Sequence, residues 1–246
     1  MASHSGPKLS VETDNLVLAL DAANTKSYPS SGGTTWYDLS VEGNDGTIDS
    51  ATHNSDGYFT FDGTDDYVES GAASDWTFLH NGASDFTIEA WIYLPATTSS
   101  HPICSTSGAS TDIGMNFKQV ADGANHYLDC EMYSGGRGSK ADFGISTNAL
   151  TEDNWNHATF TFDSSSKTVT YYINGVSSGS SSQSSYSYSS SNPYDTLQIG
   201  RSMYGSGPYT SYYDGRISTI KIYKEKALTA AEVKQNFNAL RGRYGV

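Results

Sequence analysis

The sequence predicts an all-β protein: two antiparallel sheets stacked as a sandwich or jelly roll, with one short C-terminal helix. Three observations lead there. Short segments of alternating or apolar character recur along the chain, bounded by turn residues. Glycine (24) and tyrosine (18) are abundant while charged residues make up 17%, which suits turns and half-buried strands. Helical periodicity is confined to one stretch near the end.

Residues 1–14 form a polar arm; free arms are usually disordered, so a neighbouring subunit is expected to hold it. Residues 15–246 are expected to form the sandwich, including a helix over 230–241. Eleven strands are expected, at 15–21, 57–62, 66–69, 85–94, 101–105, 113–119, 125–133, 157–163, 168–174, 195–200 and 215–223. Between them lie turn sequences such as Gly43-Asn44-Asp45-Gly46 and Asp62-Gly63-Thr64-Asp65. Within 86–93, Phe86, Ile88, Ala90 and Ile92 share one face, and Thr87, Glu89, Trp91 and Tyr93 the other. Asn174-Gly175 suits the two positive φ angles of a type I′ hairpin. The Ser/Tyr-rich stretch 177–192 reads as a loop or as a recognition surface. Thr229 and Glu232 make a capping box, Val233, Phe237 and Leu240 give the helix an apolar face, and Gly242 is placed to end it.

A chain of 246 residues allows one large sandwich or two domains. The net charge of −13 argues against nucleic acid and anionic membranes and favours neutral partners or divalent cations. No stretch approaches the roughly 18 apolar residues of a membrane span. Residues 1–10 lack the apolar centre of a signal peptide, so export by another route, such as lysis, is expected. Cys104 and Cys130 are too few for a disulfide scaffold or a zinc site; they read as buried thiols or one bridge between neighbouring strands.

The two ends of the chain carry related fragments, LVLALDAAN from Leu16 and DGRISTIKIY from Asp214. Paired antiparallel, they would bring Asp21 and Asp214 to one corner, with Asn24 and the Gly215 carbonyl close by. That set suits calcium, which takes six to eight oxygens; the alternative is a pair of carboxylates capping turn amides. Asp62, Asp65 and Asp66 form a second acidic set with the same two readings. Asp129 and Glu131 share one strand face, the one pair spaced like hydrolytic carboxylates. His157 reads as structural. Phosphate loops, Gly-x-Ser-x-Gly elbows and His-Glu-x-x-His helices are absent from the sequence, so little points to an enzyme.

Eight phrases in order, LVLALDAANTKSY, TTWYDLSVEGNDGT, FTFDGTDDYVE, FTIEAWIYLP, NWNHATFTFD, VTYYINGV, LQIGR and YDGRISTIKIYKEKALTAAEV, resemble a laminin-G-like domain of the concanavalin A-like lectin/glucanase superfamily. The resemblance spans roughly residues 15–240. It implies two antiparallel sheets in a jelly roll, frequent calcium binding, and frequent carbohydrate or protein binding. The ends of the chain resemble versions found in bacteriophage virion proteins and bacterial surface proteins, which implies a virion-surface or extracellular setting. The superfamily's glucanases usually carry Glu-x-Asp-x-x-Glu on one strand, and that triplet is missing here.

Two functions are expected on this basis. The first is a non-catalytic, lectin-like adhesion protein displayed in many copies and binding glycans or cell-surface polysaccharide. Its sugar readers would be loop residues Tyr133, Arg137, Tyr186, Tyr188, Tyr204, Tyr209 and Tyr212, since aromatic rings stack on pyranose faces. The second is a structural virion protein, a decoration or fibre subunit that meets its partner subunits through residues 1–14.

Overall fold

The computed structural model describes residues 12–96, 99–107, 113–135, 139–202 and 211–246. Its strands build two eight-stranded antiparallel sheets and a small ribbon. The first sheet runs Val176–Ser182, Thr168–Ile173, Asn154–Asp163, Phe86–Leu94, Asp214–Lys224, Tyr58–Asp62 and Thr52–Asn54. Leu16–Asp21 joins it against the second half of Asp214–Lys224. The second sheet runs Lys140–Ile145, Asn125–Ser134, Ile113–Asp122, His101–Ser105, Leu197–Ile199, Tyr67–Ser70, Gly46–Asp49 and Thr35–Trp36. The ribbon pairs Arg201–Ser202 with Ser211–Tyr212.

Alternation along the strands builds the core. Phe86, Ile88, Ala90 and Ile92 point inward and are fully buried. From the second sheet, Val68, Phe117, Leu128, Cys130 and Met132 meet them. Phe117 and Phe160 touch across the sandwich with ring centroids 4.9 Å apart. Burying a large apolar side chain in this way stabilises the fold by about 1.5–3 kcal/mol. Cys104 and Cys130 are both free thiols inside this layer, and burial raises their pKa.

The hairpin after Ile173 turns as its sequence requires, with Asn174 at φ 52° and Gly175 at φ 71°. The segment beyond this turn differs from expectation. Val176–Ser182 is a strand paired with Thr168–Ile173, not the start of a loop. It carries no apolar alternation because it lies at a sheet edge. Backbone pairing holds it, and the Ser178 hydroxyl anchors it by accepting from the Asn148 amide. The short strands at 35–36, 46–49, 52–54 and 140–145 also go beyond the eleven expected.

The helix Ala230–Tyr244 lies over the outer face of the first sheet. Its capping box forms: Thr229 Oγ1 accepts from the Glu232 amide, and the Glu232 carboxylate accepts from the Thr229 amide. It runs past Gly242 and ends at Gly245, which takes the left-handed conformation at φ 71°. Tyr244 stacks on Trp91 at 4.0 Å, and the Arg243 guanidinium pairs with both oxygens of Asp21. These contacts offset the roughly 1 kcal/mol that a helical glycine costs.

Under the helix sits a buried polar cluster. Lys221 Nζ approaches Glu89 at 3.1 Å, Asn236 Nδ2 donates to Glu89 at 2.9 Å, and His157 Nε2 lies 3.7 Å from the same carboxylate. The described end of the arm is held here by the chain itself. The Glu12 amide donates to Asn236 Oδ1, and the Tyr223 hydroxyl donates to the Glu12 carbonyl. Residues 1–11 of the expected arm lie outside the described residues.

Burial lowers the His157 pKa from 6.5 to about 4, against the pull of Glu89. Burial pushes the Glu89 carboxyl up, but Lys221, His157 and Asn236 outweigh it and hold it below the ordinary value. The folded protein therefore binds fewer protons than the unfolded chain in acid. His157 contributes stability that is complete above pH 6.5 and is lost as pH falls to about 4, a change of about 3 kcal/mol. Glu89 adds a loss below its ordinary value of 4.5. Thermal midpoints are expected to fall between pH 7 and pH 5, with a shallower slope in His157→Gln; parallel slopes would remove His157 as the titrating group.

Candidate functional site

The second sheet carries a row of polar residues across all eight strands. The pairs run Thr35, Thr47, Glu69, Gln198, Ser105, Asn116, Glu131 and Asp142, each directly opposite the next. Their sequence neighbours Cys104, Phe117, Cys130 and Phe143 point into the core, so this row faces outward. Its middle is nevertheless buried: Gln198 and Ser105 are 0% exposed, Asn116 5% and Glu131 4%. A buried polar face on the outside of a sheet requires partners for its hydrogen-bonding groups.

Gln198 finds Asp195, Thr196 and Arg201, and Ser105 finds Ser107; at the Glu131 end lysines supply the partners. Lys118 Nζ lies 2.7 Å from Glu131 and 3.3 Å from Asp129. Lys140 pairs with the other oxygen of Glu131 and, at 2.9 Å, with Asp142. The Tyr133 hydroxyl donates to Glu131 Oε2 at 2.6 Å. Burial pushes the Glu131 carboxyl up, but Lys118, Lys140 and Tyr133 reverse this and hold it ionised below its ordinary value. Asp129 goes the other way, because its burial outweighs Lys118 and the neighbouring carboxylates add to the rise. With both oxygens of Glu131 occupied by cations, the pair is an ion network, poorly placed for nucleophilic attack or proton transfer.

Beside the network opens a cavity of about 600 Å³, lined by His101, Asn116, Lys118, Val120, Asp129, Ser202 and Ser211 among others. Three of these residues have buried polar atoms without a partner among the described residues: His101 Nε2, Asn116 Oδ1 and Asp129 Oδ1. The Tyr212 carbonyl can only accept, so His101 Nδ1, 2.8 Å away, carries the proton. In the neutral ring Nε2 is then an acceptor, like the two oxygens.

The expected site residues are distributed differently from the sequence reading. Leu16–Asp21 does pair antiparallel with Asp214–Lys224, but Asp21 stands opposite Thr219. Asp214 lies five residues further along, about 17 Å at strand spacing. Asp21 binds Arg243 instead, and Asn24 Oδ1 accepts from the Lys26 amide in a local turn. The structure thus separates Asp21 and Asn24 from Asp214 and Gly215. Asp214 pairs across the ladder with Asp62, next to the second acidic set. There, carboxylate oxygens of Asp62, Asp65 and Asp66 lie within 4.8 Å of one another.

Tyr133 touches the ion network, and Tyr212 orients His101 through its backbone. Tyr186 and Tyr188 are packing residues. The Tyr186 hydroxyl donates to the Ser139 carbonyl, and Tyr188 packs against Phe162, with burial raising its pKa to about 12. Arg137, Tyr204 and Tyr209 lie outside the described residues. Sequence reasoning missed His101 and Asn116; the alternation of polar Asn116 and Lys118 with apolar Met115 and Phe117 was the available signal.

A family model described as the concanavalin A-like lectin/glucanases superfamily matches residues 62–234. The chain belongs to that superfamily. Among solved structures, this lectin-fold domain is similar to the binding domain of Paraclostridial Mosquitocidal Protein 1, at 19% identity and TM-score 0.64, covering 92% of this chain and 52% of that one. It is similar to the botulinum neurotoxin serotype D binding domain at 12% identity and TM-score 0.62, covering 92% and 52%. A Trypanosoma rangeli sialidase mutant displaying trans-sialidase activity matches at 14% identity and TM-score 0.62, covering 95% and 34%. The lectin-fold domain thus spans about half of each toxin binding domain and a third of the sialidase. At these identities the likeness is one of fold. No sequence among curated proteins matches. Among the described residues, no helix is long and apolar enough to cross a membrane.

Replacing Glu131 by Ala removes the anion that Lys118 and Lys140 share. Breaking a buried pair in this way costs about 3 kcal/mol or more. Urea unfolding of the variant should show that loss, with Glu131→Gln losing less; a variant as stable as the parent would show that the network does not tie the strands together.

Proposed function

We propose that this domain is a non-catalytic, carbohydrate-binding surface protein that serves in adhesion on a virion or cell surface. The observation that carries the reading is the convergence of His101, Asn116 and Asp129, each with a buried acceptor that has no partner among the described residues, on one cavity. Unpaired buried acceptors cost roughly 1–3 kcal/mol each, and sugar hydroxyls are donors that would satisfy them. Lys118 and the serines at positions 202 and 211 offer further polar contacts on the same wall. The ion pairing of Glu131 supports binding over hydrolysis. Single sugar sites bind weakly, so display in several copies would supply avidity. The assembly reading has less support: the described end of the arm binds this chain's own Asn236 and Tyr223.

On a glycan array, a multivalent display of the protein should bind a defined class of neutral glycan. Asn116→Leu should weaken that binding at least tenfold while unfolding normally. An array without signal, or a variant that binds like the parent, would overturn the reading.

Calcium is part of the proposal, at the acidic turn. Asp129, Glu131 and Asp142 fit the ion poorly because Lys118 and Lys140 already hold their oxygens. Asp62, Asp65 and Asp66 have no lysine or arginine partner among the described residues and fit it better. Burial raises the Asp66 pKa, and the charges of Asp62, Asp65 and Asp49 add to the rise. Asp62, Asp65, Asp66 and the adjacent Asp214 would hold the ion, which would cancel their repulsion and tie the turn to the last strand.

A carboxyl whose folded pKa is raised lowers stability above that pKa. In chelator, Asp66→Asn should therefore melt higher than the parent. Added calcium should raise the parent's midpoint and leave Asp66→Asn unmoved. A parent midpoint indifferent to calcium would exclude a structural ion.

A further inference from the structure

The outer face of the first sheet carries a cluster unrelated to the cavity. Trp155, Tyr93, Arg216 and Thr60 stand directly opposite one another on four adjacent strands. The Arg216 guanidinium lies 4.5 Å from the Tyr93 ring centroid and 4.9 Å from that of Tyr58, so two aromatic rings flank it. Trp155 meets both rings edge-on, at 5.7 Å from Tyr58 and 5.8 Å from Tyr93. It also leans on Tyr244, the last helical residue, at 4.9 Å. All these side chains are half-buried, and Thr60 beside them is exposed.

The Arg216 guanidinium, on a residue whose backbone lies in the strand ladder, has no hydrogen-bond acceptor and no carboxylate within 4.0 Å among the described residues. The sign of the chain makes this notable, since acidic residues outnumber basic ones 27 to 14. Asp214, two residues back on the same strand, is exposed and makes no ion pair with it. Arg201 and Arg243 are paired, with Glu69 and Asp21, while Arg241, which also lacks an ion pair among the described residues, is exposed beside a single ring, that of Phe237. Both rings lie within cation–π distance of the Arg216 guanidinium. Its planar N–H fork, without an acceptor among the described residues, matches a carboxylate in a bidentate fashion. Stacking also fixes the side chain beforehand, which lowers the entropy cost of engaging a ligand.

We infer that Tyr58, Tyr93, Trp155 and Arg216 form a second binding site, selective for a sugar acid. The carboxylate meets the N–H edge of Arg216, and the apolar face of the pyranose ring meets Trp155. Thr60 is within reach of a neighbouring hydroxyl. The net charge of −13 repels acidic polymers at long range, so the charge contact and the aromatic contact are both required. Simple anions lack the second contact and bind weakly.

Calorimetric titration with an oligogalacturonate, and with the same oligomer fully methyl-esterified, tests this directly. The acid form should bind at least tenfold more tightly than the ester. Arg216→Gln should erase that difference, and Arg216→Lys, which keeps the charge and loses the planar fork, should restore only part of it. Trp155→Ala should weaken both forms. Thermal unfolding confirms that each variant is folded. Failure of the acid form to bind, equal binding of acid and ester, or an unaltered Arg216→Gln would each overturn the inference.

Discussion

The strand Asp214–Lys224 is the constraint on which the rest of this molecule depends. One edge pairs along its length with Phe86–Leu94. The other edge is shared in tandem, by Tyr58–Asp62 against its start and Leu16–Asp21 against its end. Its inward residues Ile217, Ile220 and Ile222 are fully buried in the core. Its outward residues supply Lys221 to the cluster beneath the helix and Arg216 to the aromatic clamp. One strand therefore closes the sheet, ties the start of the chain to its end, and presents two of its cations to separate sites. The tandem pairing also explains why Asp21 and Asp214 stand apart. A partner that took the whole edge would have brought its tip to Asp214; a partner that takes half stops at Thr219.

Both sheets bury much of their outer faces, which is unusual for a sandwich and sets its polar chemistry. Outer faces are normally wet. Under the helix, Glu89, Lys221, His157 and Asn236 partner one another. On the second sheet, Glu131 is equally well satisfied, but His101, Asn116 and Asp129 keep atoms without a partner among the described residues. The first arrangement has the character of a seal. The second is the wall of the proposed sugar site, because buried acceptors without donors are maintained only at a cost in stability.

Much of the fold was legible in the residues. Alternation in Phe86–Leu94, the Asn174-Gly175 turn and the Thr229/Glu232 capping box each act locally, so each could be read locally. The serine-rich edge strand at 176–182 could not, since its stability comes from a neighbouring backbone and leaves no apolar trace. The helix end was misjudged for a related reason. Gly242 signals a stop, but the stacking of Tyr244 on Trp91 is tertiary and carries the helix further.

The sites were less legible because they depend on register. Asp129 and Glu131 were visible as a pair on one strand face, yet their meaning changed once Lys118 and Lys140 appeared on the flanking strands. Tyr186 and Tyr188 looked like surface readers by composition and turned out to pack inward. Arg216 carried no signal at all in the sequence. Its character comes from Tyr58, 158 positions earlier, and Tyr93, 123 positions earlier, which only sheet pairing brings beside it. Among the described residues no carboxylate reaches this cation, although the chain is rich in acids. On the inference of a second site, that separation is what leaves its N–H groups to a carboxylate brought from outside.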